Sequence, residues 1–313
     1  MKIVFLGSAH FAVVALKALI EAKHEVVCVV TQPDKKKGRH LQVSGTDVKS
    51  IAMAAKLKIF QPVNINSQES VKFLKGLEAD LFIIVAYGQI LSQEVLDIPK
   101  LMPVNIHASL LPRYRGAAPI NWAIINGDKK TGVTIMYVVL KMDSGPVIMQ
   151  QEIKIEDKDT ASSLEEKLSL CGSELLMQTL VVIDQRDYRL VEQDEEQAVY
   201  APKMKKETGL IDWNTSAVNI HNQIKGVIPW PGAFTSYRKK LLKIFRAQVL
   251  PIFPSHKPAC GEVIRADKHG IVVACAKGFL EIKELQLEAG KRMSAQNFII
   301  GHQLAVGEVL GRK

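Results

Sequence analysis

The run Ala79–Ala86, ADLFIIVA, is apolar almost throughout and lacks the polar–apolar alternation of a strand with one wet face. A strand of that kind is buried on both sides, which places it inside a mostly parallel sheet covered by helices above and below. The first half of the chain repeats the theme. Lys2–Leu6, Val26–Thr31, Lys58–Phe60, Met102–Ile106, Gly132–Val139 and Val147–Ile155 read as strands. Helical periodicity falls between and after them, over Phe11–Ala22, Thr46–Leu57, a segment from Asn66, Ser92–Leu96, Ala117–Ile125 and Ser162–Gln185. Asn66 and Glu69 form an N-x-x-E pattern that assigns Asn66 as a helix cap. The expected class is α/β, with a Rossmann-like sheet and helices on both faces.

Around Arg189–Glu207 this pattern fails. Asp194-Glu195-Glu196 and Pro202-Lys203 read as an exposed connector, giving a first domain over 1–188, a linker over 189–207 and a second domain over 208–313. In the second domain a helix at Ala217–Lys225 precedes short strands at Leu241–Phe245, Glu262–Arg265, Ile271–Ala274 and Phe279–Leu285. Lys268-His269-Gly270 and Lys277-Gly278 stand at hairpin positions. A small antiparallel sheet or barrel is expected there.

Charge separates the two parts. The chain carries a formal +9, yet Lys203–Lys313 alone holds 18 Lys and Arg against 8 Asp and Glu. An excess of +10 in the last third suggests contact with a polyanion, although a solvated basic surface is the commoner meaning of such a bias. Four cysteines, Cys28, Cys171, Cys260 and Cys275, lie far apart with no CxxC pair, as expected of free thiols in a reducing cytoplasm. The opening MKIVFLGSAH resembles a signal peptide. Its apolar run is shorter than the roughly 7–15 residues of such a core, so a first strand entering a helix is expected. No apolar stretch approaches the roughly 18 residues of a membrane helix.

Ligands of a doubly wound sheet bind outside the carboxyl ends of its strands. Gln32-Pro33-Asp34, Tyr87-Gly88, Asn105–His107 and Asp143 each follow a strand, and one site fed by several strands accounts for all four. Asn105 and His107 are two residues apart and share a face if the strand geometry continues. Asp143 would come near on the next parallel strand. An amide and an imidazole that stabilise an oxyanion, with a carboxylate that helps handle protons, suit acyl transfer to an amine. A metal site would need further ligands at local spacing, and none of the other seven histidines supplies them. There is no G-x-S-x-G, G-x-G-x-x-G or P-loop, which favours direct transfer and removes support for nicotinamide or triphosphate binding. The loop DKKKGRH, Asp34–His40, is a basic cluster at the same sheet edge and could reach a phosphate backbone.

Asn105-Ile106-His107, the run SLLPRYRGAAP from Ser109 to Pro119, and Asp143-Ser144-Gly145 together resemble the folate-dependent formyltransferases. QPDKKKGR from Gln32, IPWPGAFT from Ile228 and MSAQ from Met293 narrow the resemblance to members acting on methionyl-initiator tRNA. It covers essentially the whole chain. The resemblance implies 10-formyltetrahydrofolate as co-substrate, with no metal and no nicotinamide cofactor. It also implies a catalytic trio of Asn105, His107 and Asp143. Ser109, Leu110, Leu111 and Pro112 match the segment lining the folate pocket, and the loop Tyr87, Gly88, Gln89, Ile90, Leu91 receives the pterin. Arg39, with Lys35, Lys36 and Lys37, matches the inserted loop that reaches the tRNA, and the C-terminal part matches an OB-like tRNA-binding barrel. The chain departs from the family loop at Lys35-Lys36-Lys37, His40 and Asp47-Val48-Lys49. A cytoplasmic monomer is expected. Formylation of a small amine, hydrolysis of the formyl donor and a non-catalytic RNA-binding role stay open as rivals.

Overall fold

Four consecutive residues of β1 (Lys2–Gly7), Ile3, Val4, Phe5 and Leu6, are fully buried, which requires cover on both faces of the strand. Full burial of each such side chain stabilises the fold by about 2 kcal/mol. The computed structural model describes residues 1–37, 42–250 and 258–311. They divide into one unit of Met1–Pro119, Lys130–Lys154 and Glu165–Ala201, and a second of Ile120–Lys129, Ile155–Leu164 and residues from Pro202 onward.

In chain order β1 leads to α1 (Phe11–Glu21), β2 (Glu25–Val30), β3 (Lys35–Lys37), β4 (Gln42–Ser44), α2 (Asp47–Ala54), β5 (Ile59–Phe60) and α3 (Gln68–Lys75). There follow β6 (Leu81–Val85), α4 (Gln93–Leu96), β7 (Met102–His107), α5 (Pro119–Ile125), β8 (Lys130–Tyr137), β9 (Val147–Lys154) and α6 (Ala161–Asp184). Among the described residues seven strands form a sheet in the order β5-β2-β1-β6-β7-β8-β9. The pairs from β5 to β7 are parallel. β8 runs antiparallel to both its neighbours, β7 and β9. This corrects one expectation: no parallel strand brings Asp143 to the site, which is reached by the loop between two antiparallel strands. A connection of nine residues, 138–146, is too short for a parallel crossover and long enough for a hairpin loop.

Helix starts follow short polar side chains. The Thr46 hydroxyl accepts from the Lys49 amide at 3.1 Å and the Ser67 hydroxyl from the Ser70 amide at 3.2 Å. A cap of this kind contributes about 1 kcal/mol. The cap of α3 is thus Ser67, one residue beyond the expected Asn66. Asn66 is engaged elsewhere, donating to the Ile90 carbonyl and accepting from the Ser92 amide.

The segment after α6 is bonded along its length. Val191 exchanges two backbone hydrogen bonds with Val147. Arg115 donates its backbone N–H to Val199 and accepts from Ala201, while Ala118 donates to the Ala201 carbonyl. Residues 191–201 therefore form a strap that ties the chain around Arg115 and β9 into the first unit.

The second unit continues with α7 (Ala217–Gly226), β10 (Ala233–Tyr237), β11 (Lys240–Leu250), β12 (Val263–Asp267), β13 (Gly270–Ala274), β14 (Phe279–Leu287), β15 (Met293–Ser294) and α8 (Ala295–His302). Among the described residues its six strands form an antiparallel sheet ordered β10-β11-β14-β13-β12, with β15 on β14. β10 escapes sequence reading because its turn to β11 is Arg238-Lys239. Both residues are left-handed (φ 48° and 64°), a turn that Asn-Gly would ordinarily announce. Glu281 on β14 is buried and carries ion pairs with Arg265 at 2.7 Å and Lys283 at 2.6 Å. Among the described residues no helix is long and apolar enough to cross a membrane.

Candidate active site

Asn105 and His107 lie on β7, paired across to Met136 and Thr134 of β8. His107 is 6% exposed. Its Nε2 stands 2.9 Å from the Tyr114 carbonyl oxygen, which can only accept, so the proton of the neutral ring sits on Nε2. Nδ1 is left facing the Asp143 carboxylate, 3.7 Å from Oδ2. Neutral His107 therefore offers a lone pair on that side, and the charged ring offers an N–H.

Asp143 reaches this place through a contorted loop. Its φ of 49° is left-handed, a conformation that Asp tolerates better than most residues. Oδ2 accepts from the Gly116 amide at 2.8 Å. Two residues on, a side chain at Gly145 would put its Cβ 1.9 Å from the Tyr137 carbonyl oxygen, so the loop lies directly on β8. Ala86 (φ 45°) and Tyr114 (φ 62°) are also left-handed. Ala86 leads into the 87–91 loop, and Tyr114 carries the carbonyl that holds His107. Such outliers persist only where surroundings over-determine them, and they concentrate at functional sites.

A cavity of about 230 Å³ adjoins these groups. Asn105 and Asp143 line it together with Ile84, Gln89, Leu91 and Met136. Ile90, Leu140 and Met142 also line it, each more than half exposed. Asn105, Asp143 and Gln89 thus bring polar groups to an otherwise apolar wall, the composition of a site for a flat ring with a few polar groups. Among its described lining residues there is no Ser, Thr or Cys.

The other expected site residues separate into two sets. Gln89, Ile90 and Leu91 line the cavity, and Gln89 also holds the neighbouring loop by accepting from Ile65 and donating to Pro62. Tyr87 is instead a core residue packed with Leu6, Val30 and Phe82, where burial pushes its phenol well above the usual range. Gly88 provides the turn between them. Ser109, Leu110, Leu111 and Pro112 do not line the cavity. Ser109 donates to the Arg113 carbonyl at 2.6 Å, Leu111 is held by Thr134 and Gln150, and Leu110 packs over Gly132. These residues fix the turn that returns Tyr114 to His107.

Of the basic loop, Arg39 lies outside the described residues. Lys36 and Lys37 belong to β3, which pairs with β4 in a two-stranded ribbon. Lys35 is exposed and approaches Gln32 at 3.4 Å. The foot of the ribbon is pinned by Asp34, which accepts from Gln61 at 2.8 Å and Lys49 at 2.6 Å. Those bonds, Gln61 first, hold the Asp34 carboxyl below the usual carboxylate range.

Sequence reading missed the exposed wall Leu140–Met142, which no polar signature marks. It also missed the burial of Arg115. Arg115 is fully buried and donates from Nη1 to both Glu195 oxygens at 3.0 and 3.1 Å, with Lys141 on the same carboxylate at 2.7 Å. Eighty residues separate Arg115 from Glu195, so no local pattern could pair them. Among the described residues no group of three or more His, Cys, Asp or Glu could hold a metal ion.

The family model for formyl transferase matches residues 1–180, and that for the formyl transferase C-terminal domain matches residues 203–303. The chain is 44% identical over 312 residues to a methionyl-tRNA formyltransferase of Acetivibrio thermocellus, covering all of both chains. It is 45% identical over 313 residues to that of Citrifermentans bemidjiense, covering all of this chain and 97% of that one. Among solved structures, an N-formyltransferase from Helicobacter canadensis in complex with folinic acid and dTDP-3-aminofucose shares the fold. Its TM-score is 0.68 at 20% identity, over 94% of this chain and all of the other. HypX from Aquifex aeolicus in complex with tetrahydrofolic acid matches with a TM-score of 0.66 at 18% identity, over 98% of this chain and 48% of that one. The chain thus spans about half the length of HypX.

Proposed function

The chain belongs to the formyl transferase family, in its methionyl-tRNA formyltransferase branch, and from that premise we propose direct formyl transfer from 10-formyltetrahydrofolate to the α-amine of methionyl-initiator tRNA. The observation that carries this reading is the approach of His107 Nδ1 to Asp143 Oδ2 beside a cavity lined by Asn105.

An α-amine with a pKa near ~8 is mostly protonated at neutral pH and must lose a proton before it can attack. Asp143 and the Nδ1 lone pair of His107 take that proton, directly or through water. The amine nitrogen then bonds to the formyl carbon, and the formyl oxygen becomes an oxyanion. The Asn105 amide and the newly charged His107 donate to it, each such donor contributing about 3 kcal/mol in the transition state. As the tetrahedral centre collapses, the bond to folate N10 breaks and the nitrogen receives the proton held by the His107–Asp143 pair. The amine's second proton leaves to solvent. A lining without Ser, Thr or Cys supports transfer without a covalent enzyme intermediate.

Gln89, Ile90 and Leu91 receive the pterin, whose flat ring suits a cavity of about 230 Å³, and the rest of the folate extends outward. Tyr87, Gly88 and Ser109–Pro112 support folate binding by setting the two turns around it. Arg39, with Lys35, Lys36 and Lys37, contacts the tRNA, and the basic last third contributes further phosphate contacts. Incubation with 10-formyltetrahydrofolate and charged initiator tRNA should yield formyl-methionyl-tRNA in proportion to enzyme. Consumption of the donor without formylated tRNA would overturn the reading in favour of a hydrolase or of a small-amine acceptor.

A further inference from the structure

We infer that Gln193 is a positioning residue for formyl transfer, its side-chain amide setting the place of the Asp143 carboxylate. The inference rests on the reading above, in which Asp143 takes part in the reaction.

Gln193 belongs to the strap that follows α6. Its Oε1 accepts from Arg115 Nε at 3.0 Å. Its Nε2 donates to the carbonyl of Asp143 at 2.9 Å and to that of Gly145 at 2.7 Å. The orientation of the amide is fixed by chemistry, since a guanidinium can only donate and the two carbonyls can only accept. Both amide hydrogens are thereby spent on the one turn that holds Asp143 in its left-handed conformation. The Asp143 carboxylate in turn spans Gly116 and His107. Arg115, buried and locked by Glu195, is the fixed post from which Gln193 reaches the loop. The strap thus grips both sides of the site, through Arg115 and Ala118 on one and through Asp143 and Gly145 on the other. A loop held this way keeps its carboxylate in register, and a displacement of about 1 Å in such a group can cost a hundredfold in rate.

The test compares Gln193→Glu, Gln193→Met and Asp143→Asn, alone and with Asp143→Asn combined with Gln193→Glu. Each is assayed by formyl transfer to charged initiator tRNA and checked for folding by thermal melting. Gln193→Glu keeps the length and the acceptor for Arg115 but turns an oxygen toward two carbonyl oxygens. It should lower kcat by about 10- to 100-fold with KM for both substrates within about twofold. Gln193→Met, which loses both contacts at similar volume, should do the same. In the Asp143→Asn background Gln193→Glu should cost less than about threefold more, because both changes act through one group. Normal turnover of Gln193→Glu beside a slow Gln193→Met would show that the residue only props Arg115, and would overturn the inference. So would a double variant whose loss is the product of the two single losses. Wild-type turnover in Asp143→Asn would instead remove Asp143 from the reaction and bring down the underlying reading itself.

Discussion

His107 shows Asp143 only one of its ring nitrogens, because the Tyr114 carbonyl, 2.9 Å from Nε2, already takes the proton on the other. The imidazole is therefore set as a proton acceptor toward the Asp143 carboxylate, which stands where the charge on the ring would develop. Asp143→Asn keeps an oxygen that can accept from Gly116 while removing that charge. Single-turnover formylation should slow by about 10²- to 10⁴-fold, the range of acid–base assistance, with tRNA affinity retained. A loss confined to KM would show that Asp143 binds substrate and does not move protons.

Asn105→Ala removes a donor from the cavity wall while leaving the β7 backbone pairing to Met136 untouched. If the amide stabilises the formyl oxyanion, turnover should fall by about 10²-fold, equivalent to about 3 kcal/mol. The melting temperature should move little. Equal losses in kcat and in thermal stability would place Asn105 in the fold and not in the transition state.

Gly145→Ala addresses the loop from its other end. The added Cβ would lie 1.9 Å from the Tyr137 carbonyl oxygen, and backbone on both sides must give way. The strain should destabilise the protein by about 1–3 kcal/mol and, by lifting the Asp143 turn off β8, lower turnover as well. Thermal melting and formyl transfer on the same preparation check both arms. An unchanged melting curve would mean that the loop can relax away from β8.

How much of this was legible in the chain depends on the reach of each interaction. Strands such as ADLFIIVA announce themselves because burial on both faces fixes their composition locally. The i, i+2 spacing of Asn105 and His107 is likewise a local fact. The direction of β8 is not, since an apolar strand reads the same either way, and the nine-residue return fixes β9 against β8 but not β8 against β7. The strap was opaque for a different reason. Gln193 and Glu195 read as solvated residues of a connector, and their partners at Arg115 lie 78 and 80 residues earlier. Glu195 remains about half exposed even when paired, so its composition carries no trace of its role.

Glu195 makes that anchor sensitive to acid. Hydrogen bonds from Lys141, then from Arg115, hold its carboxyl below the ordinary range. A carboxyl lowered on folding contributes stability above its unfolded pKa of about 4.3 and loses it as pH falls through the folded value. Glu195→Gln should therefore melt below wild type at pH 7, and the two curves should converge as pH falls below about 4. A difference that is the same at both ends would assign the loss to packing rather than to charge.

The ribbon offers a separation of tRNA binding from chemistry. Asp34 joins Lys49 and Gln61 at its foot, none of them lining the Asn105–Asp143 cavity. Lys49→Met should free the foot and raise KM for charged tRNA several-fold, while folate binding in the absence of tRNA stays unchanged. Arg39→Ala should also weaken tRNA binding. If Arg39 neutralises a phosphate, the slope of log affinity against log salt should become shallower by about one unit. Lys49→Met, acting through geometry, should shift the affinity with a smaller change of slope for the removed charge. Equal slopes in wild type and Arg39→Ala would remove Arg39 from the phosphate contacts. The acceptor would then have to be held by the basic residues beyond Lys203 alone.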